Sequence, residues 1–239
     1  MMKQDGFILI WMENLCIQNK IIGFGDYIVK DLNLRIDSSE LVCISGLYGT
    51  DKISFINTMS CLNRPNLGKY LYNYNDITTI DKSKLDSLRS EIGFMFKNLN
   101  LISDLTVYQN IEIPVSISSI VDKPREIVKA AERLGLSELL HAKVDALSDV
   151  DKHKVSLARA LAVSPKLIIA DEPADGLNIE NADTLFSILN EINNQGTAIV
   201  CFSDKAQIIE KVQRHIIFHK GNIKSDSSHK SCCKEEEVV

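Results

Sequence analysis

Three apolar runs that never alternate with polar residues constrain this chain more than any other feature. They cover residues 40–45, 166–170 and 197–202. A strand with one face in water alternates polar and apolar residues, so a continuous run reads as a strand buried on both faces. Such strands need a helical layer on each side, and the intervening segments supply one. Residues 52–62 carry Ile53, Ile56 and Met59 at helical spacing, and residues 183–194 place Leu185, Ile188, Leu189 and Ile192 on one face. Gly196 follows as a stop signal. The alternation predicts an α/β fold with a largely parallel sheet covered by helices.

The middle of the chain reads differently. Pro114, Pro124 and Gly135 punctuate residues 98–161, and residues 125–134 and 152–163 have helical patterns. This is read as a helical insertion between the two halves of the sheet. Further on, residues 215–218 and Ile223 flank Lys220, Gly221 and Asn222, a hairpin signal. Beyond Lys224 the chain turns Ser-, Lys- and Glu-rich, and residues 225–239 are expected to form a disordered polar tail.

A length of 239 residues allows one sizeable α/β domain, and the net charge of −5 argues against a basic nucleic-acid footprint. The longest apolar candidate for a span, residues 7–12, is too short to cross a bilayer and lacks the flanks of a signal peptide. The expectation is a cytosolic protein, with any channel supplied by another chain. The six cysteines show no metal-ligand spacing. Cys43 and Cys201 sit in apolar strands as small hydrophobes, and Cys232 and Cys233 sit in the solvated tail.

Chemistry enters at Gly46-Leu47-Tyr48-Gly49-Thr50-Asp51-Lys52-Ile53-Ser54, which follows a strand and opens a helix. A phosphate loop needs backbone amides turned into a concave turn, a helix N-terminus behind them, and a lysine for the outer phosphates. Gly46, Gly49 and Lys52 meet that pattern. Asp51 stands where the pattern has glycine, and Ile53 stands where it has a Ser or Thr that holds magnesium. Like charges about 4 Å apart repel by roughly 1 kcal/mol in water and about 4 kcal/mol at the intermediate dielectric of a protein surface, so Asp51 opposes a polyphosphate. Ser54 is the nearest alternative oxygen. Residues 166–173 are a strand ending in paired carboxylates, Asp171 and Glu172. Of such a pair, one supports magnesium through water and the other polarises an attacking water.

Together with further stretches, these residues resemble the ATP-binding subunit of ABC transporters, most closely the lipoprotein-release, macrolide-export and cell-division subgroup. The stretches are residues 62–65 with Gly68, 92–96, 98–102, 105–110, Leu147 and Ser148, 155–161 and 165–173. The resemblance covers about residues 12 to 224. It implies a P-loop NTPase core with an N-terminal antiparallel β subdomain and a helical subdomain over residues 97–161, all within one nucleotide-binding domain over residues 1–224. It implies ATP and magnesium as cofactors and Glu172 as the catalytic carboxylate, with Asp171 holding magnesium through water.

Against the family pattern, Lys97 takes the glutamine-loop position and Asp204 the switch-histidine position. The signature reads Leu147, Ser148, Asp149, Val150, Asp151, and Asn178 replaces the dimer-interface aspartate. Phe24 and Tyr27 are candidates for the aromatic that stacks on the base. The resemblance also implies that residues 99–114 receive a membrane permease subunit, that the chain pairs with a second ABC subunit as a homo- or heterodimer, and that it lies on the cytoplasmic face of the membrane. The apolar residues Leu101, Ile102, Leu105 and Val107 are read equally as docking surface or as ordinary core.

Three functions follow in order. The first is a transport subunit whose nucleotide binding and hydrolysis are weak. The second is a catalytically inactive ABC-like scaffold or regulator docked on a permease. The third, a soluble P-loop protein unrelated to transport, lacks the long coiled-coil insertions and the second ABC domain that would support it.

Overall fold

The computed structural model describes residues 7–18 and 27–228. The chain opens with two long strands, β1 (Ile8–Gln18) and β2 (Tyr27–Asp37), followed by β3 (Leu41–Ser45), α1 (Gly49–Met59), β4 (Leu67–Tyr72) and β5 (Asn75–Asp76). Next come α2 (Lys82–Arg89), β6 (Ile92–Met95), α3 (Val107–Ser116), α4 (Lys123–Arg133) and α5 (Asp149–Leu161). The last elements are β7 (Leu167–Asp171), α6 (Ile179–Asn194), β8 (Ala198–Phe202), α7 (Ala206–Ile209), β9 (Arg214–His219) and β10 (Asn222–Ser228).

Two sheets result. The first, antiparallel, has the order β2-β1-β4-β5, and the second runs β10-β9-β3-β8-β7-β6. All pairings of the second sheet are parallel except the β9–β10 hairpin. The apolar run at 7–12 is therefore not an isolated segment; most of it is the start of β1.

The three continuous apolar strands are buried on both faces, as their lack of alternation predicts. Val42 and Ile44 join one core with α1, the antiparallel sheet, Phe202 and Phe218. Leu41 and Cys43, one residue out of phase, join a second core with Ile168, Ile199, Cys201 and the helices α3 to α6. Helix α5 lies so close to β6 that a Cβ on Gly93 would meet the Ala160 carbonyl oxygen at 2.5 Å. That contact ties the helical subdomain to the sheet.

Several boundaries differ from the sequence reading. Helix α1 starts at Gly49 rather than Lys52, because the Tyr48 carbonyl accepts both the Asp51 amide (3.1 Å) and the Lys52 amide (3.3 Å) and winds the end of the loop into a first turn. Helix α6 starts at Ile179 rather than 183, because the Asn178 side chain caps the Asn181 amide at 2.9 Å. Helix α3 has no counterpart in the sequence reading. A reciprocal cap between Thr106 and Gln109 nucleates it, although Pro114 lies inside it.

Strand β10 continues to Ser228, four residues into the segment expected to be disordered. Arg214 holds it, donating to both Asp226 carboxylate oxygens at 2.7 Å. Phe24, Cys232 and Cys233 lie outside the described residues.

Candidate functional site

Parallel register brings three strand ends to one edge. Ile44 of β3 pairs with Phe202 of β8, and Phe202 pairs with Asp171 of β7. Gly46, Glu172 and Ser203 with Asp204 follow those strands directly, so the loop, the carboxylate pair and the residue after β8 meet where α/β proteins place ligands. Gly46 has φ +80, and a Cβ there would meet the Phe218 carbonyl oxygen at 2.0 Å, so no other residue fits.

Lys52, in the first turn of α1, reaches back across this edge. Its Nζ lies 2.7 Å from Asp171 Oδ1 and 3.6 Å from Glu172 Oε1. The Asp171 contact is a close ion pair. Burial works against the ammonium, but the two carboxylates outweigh it, and the Lys52 pKa lies above the usual lysine value. Glu172 has the left-handed φ of +47, and its amide donates to the Phe202 carbonyl at 2.9 Å. The Ser203 hydroxyl donates to Glu172 Oε2 at 2.7 Å.

Asp204 turns onto the loop. Its Oδ1 accepts from the Gly46 amide at 2.9 Å and from the Tyr48 hydroxyl at 3.4 Å. The negative charge of Asp204 raises the Tyr48 pKa. Within the loop, the Thr50 hydroxyl donates to Asp51 at 3.5 Å. Ile53 is exposed and presents only carbon, and Ser54 follows it inside α1.

Lys97 contacts this group through Asp175, whose amide donates to the Glu172 carbonyl at 3.0 Å. Its Nζ lies 3.9 Å from Asp175, which Lys205 also meets at 2.8 Å. The hydrogen bond from Lys205 holds the Asp175 carboxyl below its ordinary value.

The signature residues form the N-terminus of α5. Ser148 caps it, accepting from the Asp151 amide at 3.2 Å and donating to Asp151 Oδ2 at 2.6 Å. Asp151 pairs with Lys154 at 3.2 Å, and Asp149 stands 3.9 Å from Lys152. Carboxylates are stabilising at a helix N-terminus, so Asp149 and Asp151 suit the helix itself. Leu147 is buried in the second core, and Val150 lies in the first turn of α5.

Buried His153 bridges this helix to the segment after β7, its ring nitrogens lying 2.8 Å from the Asp149 carbonyl oxygen and 3.1 Å from that of Asp175. Tyr27 opens β2, paired with Gln18. Sequence reasoning passed over Tyr48, His153, Asp175, Ser203 and Lys205. Their one signal was position, next to residues already singled out.

Next to Phe96 a groove of about 600 Å³ runs between β6 and helices α2, α3 and α5. Phe94, Phe96, Ile102, Ile113, Pro114 and Arg159 line it. Phe94 and Phe96 stack at 5.3 Å, and Arg159 donates to the Asn100 carbonyl at 2.6 Å and to that of Leu99. The docking-or-core question divides by residue: Val107 is fully buried, whereas Ile102 is 48% exposed. Ile117, also lining the groove, is 90% exposed.

Comparison with known proteins agrees with this geometry. The ABC transporter family model matches residues 29–175. The macrolide export ATP-binding/permease protein MacB of Salmonella choleraesuis is 34% identical over 200 residues, covering 82% of this chain and 31% of that protein. MacB of Hyphomonas neptunium is 32% identical over 220 residues, covering 90% of this chain and 34% of that protein. The chain thus spans about a third of the length of these relatives.

Among solved structures, a bacterial ABC transporter cassette determined as a dimer superposes with a TM-score of 0.80 at 25% identity, covering 93% of this chain and all of that one. The cbiO1 protein of Clostridium perfringens, part of the ABC transporter complex cbiONQ, does so at 0.82 and 22% identity, covering 93% of this chain and 89% of that one. With the strand–loop–helix, the carboxylate-ended strand and the inserted helices all in order, the chain belongs to the ABC transporter family as an ATP-binding domain.

Proposed function

We propose that this chain is the nucleotide-binding subunit of an ABC-type transporter complex, docked on the cytoplasmic face of the membrane beneath a separate permease, and that it binds and hydrolyses ATP weakly. Among the described residues no helix is long and apolar enough to cross a membrane. The groove next to Phe96 carries the docking half of the proposal. It is apolar, open, and floored by Phe94 and Phe96, with Ile102 and Ile117 exposed on its rim. A cluster of exposed aliphatic side chains around an aromatic floor is what an amphipathic helix of a partner needs.

The nucleotide half is supported by a mixed fit. Lys52 and the glycines of the loop suit a polyphosphate, and Asp171 suits a magnesium ion held through water. Other groups do not suit them. Asp51 and Asp204 bring carboxylates to the loop, Ile53 offers no oxygen to a cation, and the Asp51 and Lys52 amides are engaged by the Tyr48 carbonyl.

In a dimer of ABC domains each site joins one chain's loop to the other's signature. Asp149 and Asp151 would then face the partner's phosphates. A heterodimer relieves one half of each site, and a homodimer relieves neither. The contact of Asp204 with the loop also favours a second reading, a scaffold on the permease that binds no nucleotide.

The test is co-purification with the permease from detergent-solubilised membranes, the partner identified by mass spectrometry. Ile102→Glu and Ile117→Glu should release it, while Leu67→Glu, on an exposed strand residue outside the groove, should not. Retention by both groove variants rejects the docking site.

A further inference from the structure

Asp204 does more than stand where the family has another residue. Its carboxylate sits on the loop, 2.9 Å from the Gly46 amide and 3.4 Å from the Tyr48 hydroxyl. Lys52 and two of the loop amides have internal partners as well. Lys52 is held by Asp171 at 2.7 Å and approached by Glu172 at 3.6 Å. The Asp51 and Lys52 amides donate to the Tyr48 carbonyl. Lys205, the neighbour that would otherwise neutralise Asp204, is paired with Asp175 at 2.8 Å. The charge on Asp204 is thus directed at the loop and not cancelled by the adjacent cation.

We propose that Asp204 is a built-in competitor for polyphosphate: a nucleoside triphosphate occupies the loop only when the Asp204 carboxylate leaves Gly46 and Tyr48. The proposal rests on the reading of this edge as the nucleotide site and adds a regulatory element to it. Asp204 and Tyr48 are both exposed, so the carboxylate can swing into water without opening the core. Release is therefore a local side-chain event, and anything that draws Asp204 away, such as a cationic group of a docked subunit, would admit nucleotide. Asp51 acts differently. Its carboxylate accepts from Thr50 in its own turn, so it repels phosphate without occupying the loop's first amide.

The experiment is calorimetric titration of the purified full chain with Mg-ATP, for the natural sequence, Asp204→Ala, Asp204→Asn and Asp51→Gly. Asp204→Ala removes both the charge and the hydrogen bond, and it should tighten binding by at least about tenfold. Asp204→Asn keeps the shape and the bond to Gly46 without the charge, and should fall between. It also serves as the deciding variant if the alanine form does not fold. As a second readout, the Tyr48 phenol should titrate closer to the ordinary tyrosine value in Asp204→Asn. Binding by the folded Asp204 variants within twofold of the natural chain, while Asp51→Gly binds more tightly, overturns the competitor and leaves the nucleotide site standing. Absence of binding in every variant, Asp51→Gly included, overturns both.

Discussion

Asn110 gives the sharpest test of how the docking groove is built. It is fully buried in α3, and its amide organises the segment that carries Ile102 to the rim. Oδ1 accepts from the Ile102 amide at 2.8 Å, and Nδ2 donates to the carbonyls of Ile102 at 3.1 Å and Thr106 at 3.0 Å, with a longer contact of 3.5 Å to Leu105. Asn110→Leu keeps the branching of the side chain, with bulkier ends, and removes all of these. The carbonyls keep part of their bonding, since Ile102 also accepts from the Leu105 amide and Thr106 from the Asn110 amide. The Ile102 amide loses the partner that Asn110 provides.

Leaving this part-buried amide without its partner costs about 1 kcal/mol, and with the weakened carbonyls the total is about 2–4 kcal/mol. In a chain of this size each kcal/mol moves the melting temperature by about 2–4 °C, so a fall of about 5–15 °C is expected by calorimetry. Complex formation with the permease should weaken in parallel, because Ile102 is no longer held at the rim. A melting temperature within about 2 °C of the natural chain would refute the assignment of Asn110 as the organiser of this segment.

Other expectations are more local. Gly93→Ala drives a Cβ to 2.5 Å from the Ala160 carbonyl oxygen, and urea unfolding should register a loss of about 1–3 kcal/mol; an unchanged midpoint would mean that α5 is free to shift. Burial pushes the Cys43 and Cys61 thiols up to about 12 and raises Cys201 well above its ordinary value. In a variant lacking Cys232 and Cys233, these three should resist a thiol reagent at pH 8 until the protein unfolds; rapid labelling of more than one thiol would contradict that. Asp175 is held below its ordinary value of 3.8 by Lys205, so the pair's contribution is present above that pH and is lost as pH falls through the lower folded value. The stability gap between the natural chain and Lys205→Met should close on acidification, and a gap that stays constant would remove Asp175 as its source. Lys52 has the opposite sign: its pKa is raised above 10.5, so its contribution is present below that pH and fades above it. Lys52→Met should lose its disadvantage in strong alkali, and a disadvantage that persists there would contradict the pairing.

The parallel sheet was readable because residues 40–45, 166–170 and 197–202 lack any alternation, and burial on both faces is the one environment that tolerates such runs. Helix α3 was hidden because Pro114 argues against a helix, while the Thr106–Gln109 cap that starts it is a pairing between side chains and backbone. The end of β10 was hidden because Ser225 to Ser228 are polar. What orders them is the pairing of Asp226 with Arg214, twelve residues away in sequence and adjacent only across the hairpin.

At the candidate site, Lys52, Asp171 and Glu172 were legible from the motif spacing, and they do meet. The partners of Lys97 and Asp204 were not. Side chains that replace family residues form contacts of their own, and the Lys97–Asp175 and Asp204–Gly46 contacts depend on loop paths that periodicity does not encode.

The central claim is that the chain's own carboxylates and carbonyls occupy the groups that polyphosphate chemistry requires. Its most direct test is steady-state ATP hydrolysis by the purified full chain, beside Glu172→Gln. The account predicts a turnover far below the ~1–1000 per second usual for enzymes, unchanged in Glu172→Gln. Turnover within that range, abolished by Glu172→Gln, would contradict it.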